Sequence, residues 1–255
     1  MQIKDIARFI KIVLKTWKKR SLFFLLFFFF LFIINFWCSP YVLNYLQKVY
    51  NQKLIFYAVG EPIASLLKFA LLMNFLIIFP LIWYLIIFFI NFLFPLKKKY
   101  FFLFFIAGII LFYSGVIFAY KITLPYGINF LLSFKTEKLE PAISLSHFVN
   151  FFSFFLLSFG LIFEIPLLIC FLSLSKILNP QKLKKYRKEI FFCVVVLAAI
   201  ITPTPDIFNM SLLAIPLYIL FEVGLILTRF LLHANILLEE PQKGPRTNQP
   251  PSQEA

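Results

Sequence analysis

The chain has 255 residues, 62% of them hydrophobic and 38 of them phenylalanine, with a mean hydropathy of +0.91; that exceeds what a soluble fold of this length buries and reads as an all-α polytopic membrane protein. Its formal charge of +14 does not point to nucleic acid, because the lysines lie between apolar runs, as topology signals do. Cys38, Cys170 and Cys193 stand singly in or beside apolar runs, and His147 and His233 stand alone, so no disulfide framework, metal site or cofactor is expected.

Residues 1–20 set Lys4, Arg8, Lys11, Lys15, Lys18, Lys19 and Arg20 against Asp5 alone. Apolar residues from Ile3 to Leu14 interleave with them, the pattern of a basic amphipathic helix on a membrane surface. The apolar run 21–38 lacks the short core and small-residue cleavage site of a signal peptide, so an anchored helix is expected. Residues 39–62 are polar enough to leave the membrane, with short amphipathic pieces over 41–50. A second run, 63–94, exceeds the bilayer thickness and is expected to tilt, bend near Pro80 or protrude, with Lys68 snorkelling to the headgroups near its outer end. A tight basic loop, 95–99 (PLKKK), leads to a third run over 100–120 and a second outer loop over 121–146.

The fourth run, 148–174, carries Glu164 at its middle. A charge at that depth costs on the order of 3 kcal/mol on insertion scales, so Glu164 faces protein or water rather than lipid. It is either a hydrogen-bonding group that glues helices together or a polar spot on a functional surface inside the membrane; the bend expected at Ile165-Pro166 favours the second. After a basic loop over 176–189, a fifth run over 190–202 offers only about 20 Å of helix against a hydrocarbon core of roughly 30 Å. A rigid turn, TPTPD at 202–206, joins it to a sixth run that ends near 227 and holds Pro216 and a second acid, Glu222. The domain reading is a basic segment over 1–20, a bundle over 21–232 and a disordered tail over 233–255.

With six spans, the last two short, the N-terminus, both basic loops and the tail fall on one side and hold most of the lysines and arginines. Lys48, Lys53, Lys121, Lys135 and Lys138 fall on the other, so both termini are expected inside. Covalent catalysis is not expected: there is no serine-histidine or cysteine-histidine pairing, no HExxH and no phosphate-binding glycine loop. Two other classes remain on the residues alone. A proton- or ion-coupled solute transporter would use Glu164 and Glu222 as a relay, although no internal repeat supports it. A docking platform would use intramembrane polar residues to bind partner helices.

Three blocks carry a resemblance: FYSGVIFAY at 112–120, FGLIFEIPLL at 159–168, and TPTPDIFNMSLLAIPLYILFEVGLILTRF at 202–230. In that order they resemble the TatC family, the core receptor subunit of the twin-arginine protein translocase, over roughly residues 1–232. The resemblance implies six helices with both ends inside and no enzymatic activity. It further implies binding of the twin-arginine signal peptides of folded precursors, assembly with single-span TatA- and TatB-type partners, likewise with further copies of itself, and transport drawing on the protonmotive force. It implies an integral protein of the bacterial plasma membrane, or of the thylakoid or mitochondrial inner membrane if organelle-encoded. By position, Glu164 matches the family's fourth-helix glutamate, and Asp206 and Pro203 its acid and proline between the last two helices. Phe89 matches an aromatic near the inner end of helix two, Glu61 the acid at that helix's outer start, and Pro216 and Glu222 parts of the last block. Two family acids are missing: the N-terminal stretch reads Thr16-Trp17-Lys18-Lys19-Arg20, and the first inner loop reads Pro95-Leu96-Lys97-Lys98-Lys99. Lysines there should repel a paired-arginine motif.

Overall fold

The computed structural model describes residues 3–50, 54–93, 98–132, 143–174, 177–201 and 207–238. In hydrocarbon every backbone polar group must be satisfied within the chain, so apolar runs of this length have one solution, the helix. In chain order these are α1 (Ile3–Val49), α2 (Glu61–Leu93), α3 (Lys98–Phe118), a π segment (Ala119–Thr123), α4 (Leu124–Leu132), α5 (Leu145–Ile162), α6 (Ile165–Leu174), α7 (Pro180–Lys185), α8 (Arg187–Ile201) and α9 (Ile207–Leu238). Two short strands, β1 (Leu54–Ile55) and β2 (Ile143–Ser144), pair in parallel and mark one end of the bundle.

Five stretches among the described residues are long and apolar enough to cross a bilayer: Phe24–Val49, Glu61–Asn91, Lys99–Asn129, Leu145–Leu174 and Met210–Leu231. Much of their surface carries exposed Phe, Leu and Ile, and Trp37 is 75% exposed, an apolar exterior that only lipid covers well. As expected of the fifth run, α8 is short: its 15 residues make about 22 Å of helix. The sixth run extends further than 227: its apolar span ends at Leu231, and α9 continues to Leu238.

Pro40 and Pro80 lie inside spans without ending their helices, and side chains explain why. Pro40 has no N–H to give the carbonyl of Phe36, one turn back; the Ser39 hydroxyl donates to that carbonyl at 2.8 Å, and α1 runs on to Val49. Residues 41–49 therefore belong to α1, where the polar composition after Ser39 suggests that the chain leaves the membrane. Pro80 leaves the carbonyl of Leu76 unpaired in the same way, and the Tyr113 hydroxyl of α3 reaches across to donate at 2.8 Å. Tyr113→Phe is expected to lower stability in detergent by about 0.6–1.7 kcal/mol, the range of hydrogen bonds measured between membrane helices. An unchanged thermal midpoint would show that Leu76 finds another donor.

The third run also continues past its expected end at Tyr120, because the π segment and α4 prolong it to Leu132. Residues 133–142 of the expected outer loop lie outside the described residues. The core is aromatic: Phe69, Phe112 and Phe159 are wholly buried, and α2, α3 and α5 meet around them. Close approach depends on small residues. Gly115 of α3 lies against the Phe159 carbonyl and the Phe163 ring, Gly160 of α5 against Phe112, and Gly224 of α9 against Pro166.

Candidate functional site

The fourth run is interrupted where Pro166 lacks the N–H that would continue the ladder. Helix α5 closes at Ile162, the Glu164 N–H turns back to Leu161 at 3.1 Å, and α6 restarts with Leu168 donating to the Glu164 carbonyl at 2.9 Å. Glu164 therefore sits on the break itself. It is only 8% exposed, and neither carboxylate oxygen has a hydrogen-bond partner among the described residues. A buried acid normally has its acceptors filled, because leaving one empty costs on the order of 1–3 kcal/mol. The arrangement holds a strong hydrogen-bonding group with spare capacity inside a membrane span.

Glu222 is placed differently. On α9 it accepts from Arg187 Nη2 at 2.5 Å and from the Tyr218 hydroxyl at 3.1 Å, one turn earlier. Arg187 opens α8, so this pair ties the start of the short helix to α9. The sequence assigned Arg187 only to a basic loop, although the Tyr218–Glu222 spacing of four was a legible cue. Glu222→Gln weakens the charge-assisted bond while keeping the side chain's shape. It is expected to speed amide hydrogen exchange at the start of α8 with little change in α5; uniform protection across both would remove the tether from the account.

Glu61, which opens α2, accepts from the backbone N–H groups of Tyr57 at 2.8 Å and Ser146 at 3.0 Å and from the Ser144 hydroxyl. It fastens the α2 start to β2 and the start of α5. Phe89 is exposed near the end of α2. Asp206 and Pro203 lie outside the described residues, between α8 and α9, as do residues 95–97 of the basic loop. Two buried asparagines not weighed in the sequence bridge the first two spans: Asn35 Nδ2 approaches Asn74 Oδ1 at 3.4 Å, and Asn74 Nδ2 approaches the Phe28 carbonyl at 3.4 Å.

Geometry and composition together define an integral membrane protein of several helices whose candidate site is a hydrogen-bonding acid at a helix break. Residues 13–216 match the family described as Sec-independent protein translocase protein (TatC). A protein of that name from Carboxydothermus hydrogenoformans is 33% identical over 182 residues, 71% of this chain and 75% of the relative. An uncharacterized tatC-like protein, ycf43, from Gracilaria tenuistipitata var. liui is 33% identical over 212 residues, 78% of this chain and 86% of the relative. A crystal structure of the twin-arginine translocase receptor TatC in DDM superposes with a TM-score of 0.71 at 29% identity, covering 84% of this chain and 98% of that one. The chain belongs to the TatC family: it is a translocase component that works in a complex with other Tat subunits, and not an enzyme.

Proposed function

We propose that this chain is the receptor core of a twin-arginine translocase. It binds signal peptides of folded precursors, assembles with TatA- and TatB-type single-span proteins and further copies of itself, and supports transport drawing on the protonmotive force. The observation that carries this reading is Glu164, a buried acid at the α5–α6 break without a hydrogen-bond partner among the described residues. A polar group on an incoming membrane helix would fill its empty acceptors. Six spans with both termini inside is the topology proposed, with α8 as the fifth span. Asp206, Pro203 and Phe89 belong with Glu164 as candidate contacts for signal or partner, whereas Glu61 and Glu222 support the frame that holds it.

The solute-transporter reading needs Glu164 and Glu222 to act together, and Glu222 is engaged with Arg187. The test is export of a folded reporter with a twin-arginine signal in a bacterium lacking its own receptor, supplied with matched partner subunits. Export that depends on Glu164 supports the proposal. Correct insertion without any export, together with solute uptake by the purified protein in vesicles, would replace it.

The lysines at 97–99 give a second, independent expectation. A like-charge pair at about 4 Å costs roughly 1 kcal/mol in water-like surroundings. Lys97→Glu is therefore expected to tighten binding of a paired-arginine peptide by fivefold or more, measured by titration of the purified protein. Equal affinities would place the peptide's arginines elsewhere.

A further inference from the structure

A cavity of about 1490 Å³ lies between α1, α2 and α5, away from the Glu164 break. Small-molecule sites occupy about 300–1,000 Å³, so it has room for something larger. The lining is divided lengthwise. Toward the strand end sit Lys68, His147 and Asn150, with Ser153 one turn beyond; the rest is apolar, including Phe28, Phe75 and Leu157.

Lys68 is exposed and its ammonium lies 3.1 Å from Asn150 Oδ1. It makes no ion pair among the described residues, where Arg187–Glu222 is the ion pair present. An ammonium has three donors, and this contact takes one. The Ser153 hydroxyl is buried without a hydrogen-bond partner among the described residues. A cation and hydroxyl with spare capacity at one end of an apolar trough fit an anion carrying hydrocarbon chains.

Dimensions choose between a lipid and a helix. From Lys68 to Ile82, the span of α2 that lines the cavity, is about 21 Å of helix. One leaflet with its headgroups measures roughly 20–22 Å, half of the whole bilayer. A spanning helix is about 30 Å long, longer than the stretch of α2 that lines the cavity. We infer that this cavity binds one anionic phospholipid, its phosphate at Lys68 and its acyl chains along α1, α2 and α5.

The experiment is native mass spectrometry of the purified full chain, offered phosphatidylglycerol and phosphatidylcholine with identical acyl chains. The unchanged protein is expected to retain phosphatidylglycerol about fivefold over phosphatidylcholine, the contribution of one lysine near a membrane surface. Lys68→Gln should bring that ratio near one without moving the thermal midpoint, since Lys68 is exposed, while Lys68→Arg should keep it. Equal retention by the unchanged protein, or a preference that survives Lys68→Gln, would overturn the assignment. So would capture of a polypeptide in place of lipid by a photoreactive residue at Leu71. The readout is lipid retention, so either result is independent of whether the receptor proposal holds.

Discussion

Glu164→Ala is expected to reduce export of a twin-arginine reporter by about thirtyfold, the effect of losing a contact worth roughly 2 kcal/mol at the centre of an interface. The same change should leave the thermal midpoint unchanged or raise it. Glu164 donates or accepts no side-chain hydrogen bond among the described residues, so its removal breaks none there and relieves a buried polar group of its missing partner. Glu164→Gln keeps an acceptor of nearly the same shape and should export at an intermediate level. The split between the two readouts is the informative part. Loss of stability in step with export would make Glu164 an internal brace; export within twofold of the unchanged protein would remove it from the site altogether.

Gly115→Leu is the substitution expected to damage the fold most. A Cβ there would lie 2.5 Å from the Phe159 carbonyl oxygen and 2.8 Å from the Phe163 ring. The carbonyl is part of the α5 backbone and cannot rotate away, so α3 and α5 must separate. Overpacking of this kind costs about 1–3 kcal/mol, visible as a lowered thermal midpoint in detergent. Phe163 precedes Glu164, so export should fall as well. Gly60 faces open space and serves as the control, since Gly60→Leu should leave stability within error. Equal behaviour of the two variants would mean that α3 and α5 are not held at this distance.

Composition and run length made the helical membrane class legible, because hydrocarbon admits few backbone solutions. The break at Glu164-Ile165-Pro166 was legible too, from an acid and a proline in one apolar run. Helix ends were not. The polar residues after Ser39 suggested an exit from the membrane, and nothing local shows that the Ser39 hydroxyl repairs the gap Pro40 makes. Tyr113, Gly115 and Tyr120 were recognisable as parts of one family block, but their tasks depend on residues far along the chain: Leu76, Phe159 and Tyr50. The Arg187–Glu222 pair was hidden for the same reason. A lysine-rich loop predicts a side of the membrane, not which of its cations turns inward. Asp206 and Pro203 were named from the family resemblance, and their surroundings lie outside the described residues.

The π segment at Ala119–Thr123 makes chain length a structural variable within a helix. Its wide turn joins the Leu124 N–H to the Ala119 carbonyl, and the Tyr50 hydroxyl donates to the carbonyl of Tyr120 at 3.3 Å. Such a turn stores one residue more than an α-helix would need. Removing one residue between 119 and 123 would therefore restore uniform α winding while everything beyond it keeps its facing. Leu124 and Ile128, buried now, would stay turned to the core. A relative one residue shorter here can turn the same face of the following helix inward, so such a gap in an alignment marks a lost wide turn rather than a shortened connection.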